Sequence, residues 1–172
     1  GILLYDSGKH EMASPKKFTP AERKGKAKAS YKEWFGQAKE FLIGSLKLRP
    51  SENAIGRNIR AFMLHQACEN AFIASSLVFK DDRRKLHDLV ELEKGVALVE
   101  PEFLRSFPKE TKRDKHIFDL IKKAYIDARY KKYYEVDEEE LTEMAEMVKN
   151  FHNLVEKLCL RKIESFVENN EA

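Results

Sequence analysis

The chain has 172 residues, enough for one domain with a substantial core but too few for a second full domain. Hydrophobic residues make up 42% and charged residues 35%, with only 7 Gly and 5 Pro, a composition typical of amphipathic helices rather than of a turn-rich β fold. The 32 basic and 29 acidic side chains leave a formal net charge of +3, which excludes a strong overall basic field.

Cysteine usage and hydropathy together predict a cytoplasmic protein without a membrane span. Cys68 and Cys159 both lie in apolar helical patterns, and two cysteines are too few for a disulfide framework or a zinc cluster. The longest apolar run, residues 71–79, is far too short to cross a bilayer, and no cleavable signal pattern opens the sequence.

The first 19 residues do not resemble the rest of the chain. Residues 2–5 have the pattern of a short strand, residues 6–8 that of a turn, and no other segment is available to pair with that strand. Pro15 and Pro20 are typical of a linker. We therefore expect residues 1–19 to be the end of a preceding domain plus a linker.

Five segments with apolar residues at spacings of three and four follow, and each predicts an amphipathic helix. They cover approximately residues 20–49, 54–79, 85–99, 112–128 and 137–166. The last has a clear beginning, because Asp137 is a good N-cap and Glu140 stands three residues on. The prediction is an all-α, up-and-down four-helix bundle with a fifth short helix, over residues 20–168, followed by a tail at 169–172. We expect the second, fourth and last helices to form its core.

Three motifs in the second, third and fourth helices resemble the HEPN domain family. Residues 64–71, Leu-His-Gln-Ala-Cys-Glu-Asn-Ala, are similar to the family's Gln-Ala-Ala-Glu core. Residues 86–89, Leu-His-Asp-Leu, are similar to its His-Asp-Leu turn, and residues 124–130 to its Tyr-x-x-x-Arg-Tyr ending. Each motif alone is weak, but their order and the helices between them make the match fairly specific over roughly residues 30–165.

The resemblance implies a four- or five-helix bundle, and it suggests the helical C-terminal domain of a nucleotidyltransferase protein. Many bacterial proteins of this group place a nucleotidyltransferase domain directly before the helical one, which agrees with the unpaired strand at residues 2–5. The transferase signature itself is absent, since Gly44-Ser45 is not followed by aspartates that could hold magnesium. We therefore expect no cofactor in this chain, and Mg²⁺ only on a transferase domain.

Catalytic members of the family are ribonucleases with an arginine and, four to six residues on, a histidine near the last helix, an arrangement that stabilises phosphate charge and transfers protons. Here Arg129 is followed by no histidine until His152. Arg60 and His65 have a suitable separation, but they belong to the second helix and point about 140° apart around its axis. The sequence therefore predicts no complete catalytic site.

The best candidate ligand surface is the end of the fourth helix, where positive charge suits phosphate and aromatic rings suit stacking. It comprises Tyr125, Arg129, Tyr130, Lys131, Lys132, Tyr133 and Tyr134. His87 is the other candidate for nucleotide or phosphate binding, although a histidine followed by Asp88 near a helix start is more often a capping and packing element. Tyrosines just after the end of a helix also often pack against the end of the bundle, which would be a structural role rather than ligand binding.

No metal site is expected, because His65 and Glu69, one helical turn apart, are not joined by a second ligand pair. Residues 9–32 are basic and residues 135–146 acidic, so the two regions could support self-association, or could simply be solvated. The leading hypothesis is a non-catalytic nucleotide- or substrate-binding module that works with a linked or partner nucleotidyltransferase and forms a homodimer. The alternatives are a divergent HEPN ribonuclease using Arg60, His65 or His87, and a purely structural dimerisation bundle.

Overall fold

The computed structural model describes residues 18–50, 53–83, 86–126 and 134–166. These residues form an all-α, up-and-down bundle of four helices with a short fifth helix, as the sequence predicts, and they contain no strand. The predicted strand at residues 2–5, the linker and the tail lie outside the described residues. The five helices are α1 (Pro20–Lys47), α2 (Ala54–Lys80), α3 (Leu89–Ala97), α4 (Lys112–Lys123) and α5 (Glu138–Glu164), with a 3₁₀ helix at Pro101–Arg105.

Local capping explains where the helices begin. The predicted capping box of α5 is confirmed, because the Asp137 side chain accepts a hydrogen bond from the Glu140 backbone N–H and the Glu140 carboxylate accepts one from the Asp137 N–H. Thr19 and Glu22 form the same arrangement at the start of α1, with Pro20 in the first helical position. Each box satisfies N–H groups that have no partner inside the helix.

The core is organised around α2, which packs against every other α-helix of the described bundle. Its most extensive partner is α1, joined to it by a short connection, and α5 comes second. The expectation that the fourth helix belongs to the core is confirmed, because α4 contributes Ile117, Phe118, Leu120 and Ile121. Its expected length is wrong, since α4 has only 12 residues, and α1 packs on α2 more extensively than α4 does.

Two helix boundaries differ from the sequence prediction for identifiable reasons. The third helix begins at Leu89 rather than near residue 85, because Asp88 caps it. The fourth ends at Lys123 in a tightened last turn, where the Ala124 backbone N–H donates to both Leu120 O and Ile121 O and the Ile126 N–H donates to Lys123 O. Leu120 O also accepts from the Tyr134 hydroxyl at 3.0 Å, and Ile121 O lies 3.0 Å from Nδ1 of His65.

Three acidic residues in the first turns of α5 pair with basic side chains of α2 and α4. Glu138 pairs with Arg60 of α2, while Glu140 lies 2.6 Å from Nε2 of His116 on α4. Glu143 accepts from Nε of Arg113 at 3.0 Å. None of the helices in the described ranges combines the length and the apolarity that a bilayer-spanning segment needs. Cys68 and Cys159 are free thiols buried in the core.

Candidate ligand-binding site

A pocket of about 570 Å³ opens where the turn before α3 meets the end of α4. Two basic side chains and two aromatic rings line it together with apolar groups. The lining residues are His87, Asp88, Leu89, Val90, Lys122, Lys123, Tyr125 and Ile126. A pocket of this size matches the range that small ligands and nucleotides occupy in proteins.

Asp88 sets the position of His87 in this pocket. The Asp88 carboxylate accepts hydrogen bonds from the backbone N–H groups of Val90 at 2.8 Å and Glu91 at 3.1 Å, so it ends the extended segment and begins α3. The predicted capping role of the His-Asp pair is therefore confirmed for Asp88. His87 lies one residue before the cap, and its side chain remains 53% exposed at the pocket.

The rings of His87 and Tyr125 stack on each other. Their centroids are 4.2 Å apart and their planes differ by 14°. Tyr125 belongs to the turn that follows α4, so this stack joins the α2–α3 connection to the end of α4. Two of the residues proposed from the sequence as ligand contacts, which stand far apart along the chain, are thus brought together.

The carboxylate of Glu69 on α2 contacts the His87 ring from the interior of the bundle. Nδ1 of His87 lies 3.0 Å from one carboxylate oxygen and 3.1 Å from the other, and the Glu69 side chain is only 9% exposed. Because Nδ1 donates its hydrogen to this carboxylate, Nε2 is the ring nitrogen left for a ligand. Burial raises the pKa of the Glu69 carboxyl, but the hydrogen bonds to His87 and the nearby imidazole of His65 outweigh burial and leave the pKa below its usual value.

His65 joins the same cluster from the interior. Its Nδ1 donates to the Ile121 carbonyl, and its ring lies 5.3 Å from that of Tyr125. Its Nε2 is 3.5 Å from a Glu69 oxygen and has no hydrogen-bond partner among the described residues. His65 and Glu69, one helical turn apart on α2, therefore contact each other. Within the described ranges no group of three His, Cys, Asp or Glu side chains is arranged to hold a metal ion.

The pocket margin carries positive charge. Lys122 and Lys123 end α4, and Nζ of Lys122 pairs with Asp119 at 2.6 Å, whereas Lys123 has no salt bridge to a described residue. Lysines at the last turn of a helix also complement its negative end. An anion entering beside His87 would therefore meet the positive charge of Lys122 and Lys123.

Arg60 and His65 do not form a shared catalytic pair. Nε of Arg60 donates to the Ser45 carbonyl at 3.1 Å and its terminal nitrogen pairs with Glu138, so the guanidinium clamps α1, α2 and the start of α5 together. Nδ1 of His65 is bound to α4 instead. The sequence-based argument that the two side chains diverge around the helix agrees with these separate partners.

The remaining residues of the predicted ligand surface have different outcomes. Arg129, Tyr130 and Lys132, with their neighbours Lys131 and Tyr133, lie outside the described residues. Tyr134 is only 6% exposed and donates its hydroxyl hydrogen to Leu120 O, so the expectation that its ring is open for stacking is wrong. Tyr134 instead packs against the end of the helical bundle, which is the structural role that the sequence analysis gave as the alternative to ligand binding.

Three charged residues at the site, Lys122, Lys123 and Glu69, were not proposed as ligand contacts from the sequence. Lys122 and Lys123 could have been found, because they stand three and two residues before Tyr125 in the sequence. The contact between Glu69 and His87 could not, since it spans 18 residues and depends on how α2 and the α3 turn meet.

The fold is an all-helical bundle, and its candidate site is a pocket of apolar, aromatic and basic side chains between the α3 turn and the end of α4. A family model for the HEPN domain matches residues 31–158, most of the chain and nearly all of the bundle. The chain belongs to the HEPN domain family, which makes it a ribonuclease-like or nucleotide-related module. No curated protein matches the chain.

Proposed function

We propose that this HEPN domain binds a nucleotide or a phosphorylated substrate in the pocket at His87 and Tyr125, without completing a catalytic site of its own. The observation that carries the proposal is the stacked His87–Tyr125 pair, held from the interior by Glu69 and flanked by Lys123. Aromatic faces suit bases, and ammonium groups suit phosphate oxygens. Because Nδ1 of His87 gives its hydrogen to Glu69, Nε2 donates to a phosphate oxygen only when the ring is doubly protonated. Arg129, Tyr130 and Lys132 would extend this site.

The proposed context is a nucleotidyltransferase, either linked to this domain or acting as a partner. The support is the resemblance of the sequence to domains found in that arrangement. In such a protein the transferase part would carry Mg²⁺, and this domain would hold the nucleotide or the acceptor. Lysine and histidine are poor ligands for Mg²⁺, so the pocket itself should favour metal-free ATP over the magnesium complex.

We also propose that the chain forms a homodimer. The support is a set of apolar side chains that the bundle leaves exposed around the connection between α1 and α2. Ile55 is 66% exposed, Ile59 49% and Leu46 48%. Exposed apolar groups that gather at one end of a molecule often mark an interface.

The test of the ligand site is calorimetric titration of the chain with ATP, comparing wild type with His87→Ala. His116→Ala is the matched control, because His116 is 49% exposed and also lies against a glutamate, but it does not line the pocket. We expect His87→Ala to weaken ATP binding about tenfold, or about 1.4 kcal/mol, since a charge-assisted hydrogen bond and a stacking surface are lost. His116→Ala should bind like the wild type.

Two outcomes would contradict the assignment. If wild type binds no nucleotide and no other phosphorylated compound, the proposed function is wrong. If ATP binds but both histidine variants behave alike, the ligand occupies a different surface. A circular dichroism spectrum for each variant shows whether the bundle is intact.

A further inference from the structure

The two nitrogens of the His87 ring differ in whether their hydrogen can come and go. Nδ1 lies 3.0 Å and 3.1 Å from the two carboxylate oxygens of Glu69. An ionised carboxylate only accepts hydrogen bonds, so Nδ1 keeps its hydrogen whether the ring is neutral or cationic. The neutral ring therefore has a lone pair at Nε2, and the doubly protonated ring has an N–H donor at the same place.

The surroundings of the ring make this second proton important for a ligand. The His87 side chain is 53% exposed and lines the pocket together with Lys122 and Lys123. An ionised phosphate oxygen is an acceptor, so it is repelled by the lone pair of the neutral ring and bound by the N–H of the cationic ring. The same nitrogen thus opposes or binds a phosphate according to its proton.

The charged groups around His87 act on that proton in opposite directions. The nearly buried carboxylate of Glu69 favours the cationic ring. So does the carboxylate of Asp88 in the same turn, although it is engaged by two backbone N–H groups. Lys122 and Lys123, which line the same pocket, oppose a further positive charge. A bound anion would offset the lysines and so favour the second proton.

Two other titratable side chains face this part of the pocket. Tyr125 stacks on one face of the His87 ring, and an aromatic face favours a cation placed over it. His65 lies on the interior side, with its Nε2 3.5 Å from a Glu69 oxygen. The His65 side chain is 1% exposed, so it does not reach a ligand, but it shares the carboxylate that holds His87. A test of proton uptake must therefore separate the two histidines.

We propose that His87 determines the preference of this pocket for phosphorylated ligands by taking up a proton when the ligand binds. The inference rests on the proposed nucleotide site and adds its dependence on pH. The proton comes from solvent and forms the N–H bond at Nε2, and no bond of the ligand breaks. If a phosphate raises the proton affinity of the ring, the proton raises the phosphate affinity by the same factor. Phosphate binding should therefore strengthen as the pH falls, whereas a nucleoside without phosphate should not respond.

The test is calorimetric titration with ATP and with adenosine, from about pH 8.5 to about pH 6, where imidazole rings commonly titrate. Wild type is compared with His87→Gln, whose amide is polar but does not titrate. The terminal phosphate of ATP also titrates in this range, but its effect cancels in the ratio of the two affinities. We expect the ratio of wild-type to variant affinity for ATP to increase about tenfold between the alkaline and the acidic end. The same ratio for adenosine should stay constant.

Proton uptake can also be counted directly. Titration with ATP near neutral pH, in two buffers that differ in ionisation enthalpy, should show that the wild type takes up more protons than His87→Gln. Uptake that persists undiminished in His87→Gln would belong to His65 or another group and would overturn the inference. Glu69→Gln should move the rise in ATP affinity to lower pH, because the charge that stabilises the cationic ring is lost.

His116→Gln is the matched control. Nε2 of His116 lies 2.6 Å from a Glu140 oxygen, but His116 does not line the pocket, so this variant should keep the wild-type dependence of ATP affinity on pH. A wild type that binds neither ATP nor another phosphorylated compound overturns the proposed ligand site itself. ATP binding with the same ratio of wild type to His87→Gln at every pH overturns only the proton uptake. Circular dichroism establishes that each variant is folded at each pH.

Discussion

The carboxylate of Glu69 lies 3.0 Å from Nδ1 of His87, so a nearly buried acid on α2 fixes a ring at the mouth of the ligand pocket. The contact joins the bundle core to the turn before α3. It also leaves Nε2 of His87 directed away from the carboxylate, toward the space that a ligand would fill.

Glu69 and His87 should be energetically coupled. We expect a double-mutant cycle of Glu69→Gln and His87→Ala, measured by urea unfolding, to give a coupling of about 1 kcal/mol, because the carboxylate is buried although the imidazole is half exposed. The exposed pair Glu91 and Lys94, 2.8 Å apart, is the control and should be close to additive. Additive effects at Glu69 and His87 would mean that the contact does not hold the turn in place.

His152 should make the fold sensitive to mild acid. Burial lowers the pKa of its imidazole from 6.5 to about 4, and its Nε2 lies 3.1 Å from the Ala67 carbonyl. The unfolded chain binds the proton more readily, so this contribution is complete above pH 6.5 and is lost as the pH falls toward 4. The loss should be on the order of 3 kcal/mol.

The comparison that isolates this effect is His152→Gln, whose amide can still donate to Ala67 O but does not titrate. Unfolding free energies measured from pH 7 to pH 4 should fall less steeply for this variant than for the wild type. Parallel curves for wild type and His152→Gln would show that His152 is not kept neutral by the fold.

The chain should not cleave RNA. Arg60 is 8% exposed and held by Ser45 and Glu138, and His65 is fully buried with Nδ1 on Ile121 O, so neither reaches a substrate. Incubation with a labelled RNA and analysis on a denaturing gel should give no products above background. Specific cleavage that disappears in a folded Arg60→Ala or His65→Ala variant, but persists in His116→Ala, would overturn this expectation.

The fold was predictable because its determinants are local. Apolar spacing marks the five helices, and the Asp137–Glu140 pair marks a helix start within four residues of chain. How much each helix contributes to the core was harder to predict. Whether α1 or α4 packs more extensively on α2 depends on tertiary contacts, and so do the hydrogen bonds that Tyr134 and His65 make to the last carbonyls of α4.

The candidate site was only partly predictable for the same reason. Spacing by one helical turn indicates the contact of Glu69 with His65, and aromatic and basic residues indicate Tyr125. Stacking of His87 on Tyr125 requires two connections of the chain to meet, which no local pattern encodes. Tyr134 shows the converse: its sequence context resembles that of a ligand-stacking residue, but burial and one hydrogen bond give it a structural role.

The ligand site should prefer nucleoside triphosphates to nucleosides, and Arg129 should contribute to that preference. A guanidinium can grip phosphate through two parallel hydrogen bonds, and Lys132 adds positive charge nearby. We expect affinity to fall from ATP to AMP to adenosine, and to fall further with added salt, because exposed charges are screened over about 8 to 10 Å at physiological ionic strength.

Arg129→Ala should weaken ATP binding about tenfold while leaving adenosine unchanged. Tyr130→Ala is the companion variant and should reduce binding of both through loss of stacking. If Arg129→Ala leaves ATP affinity unchanged in an intact bundle, Arg129 has a structural role and the anion site is confined to His87 and Lys123.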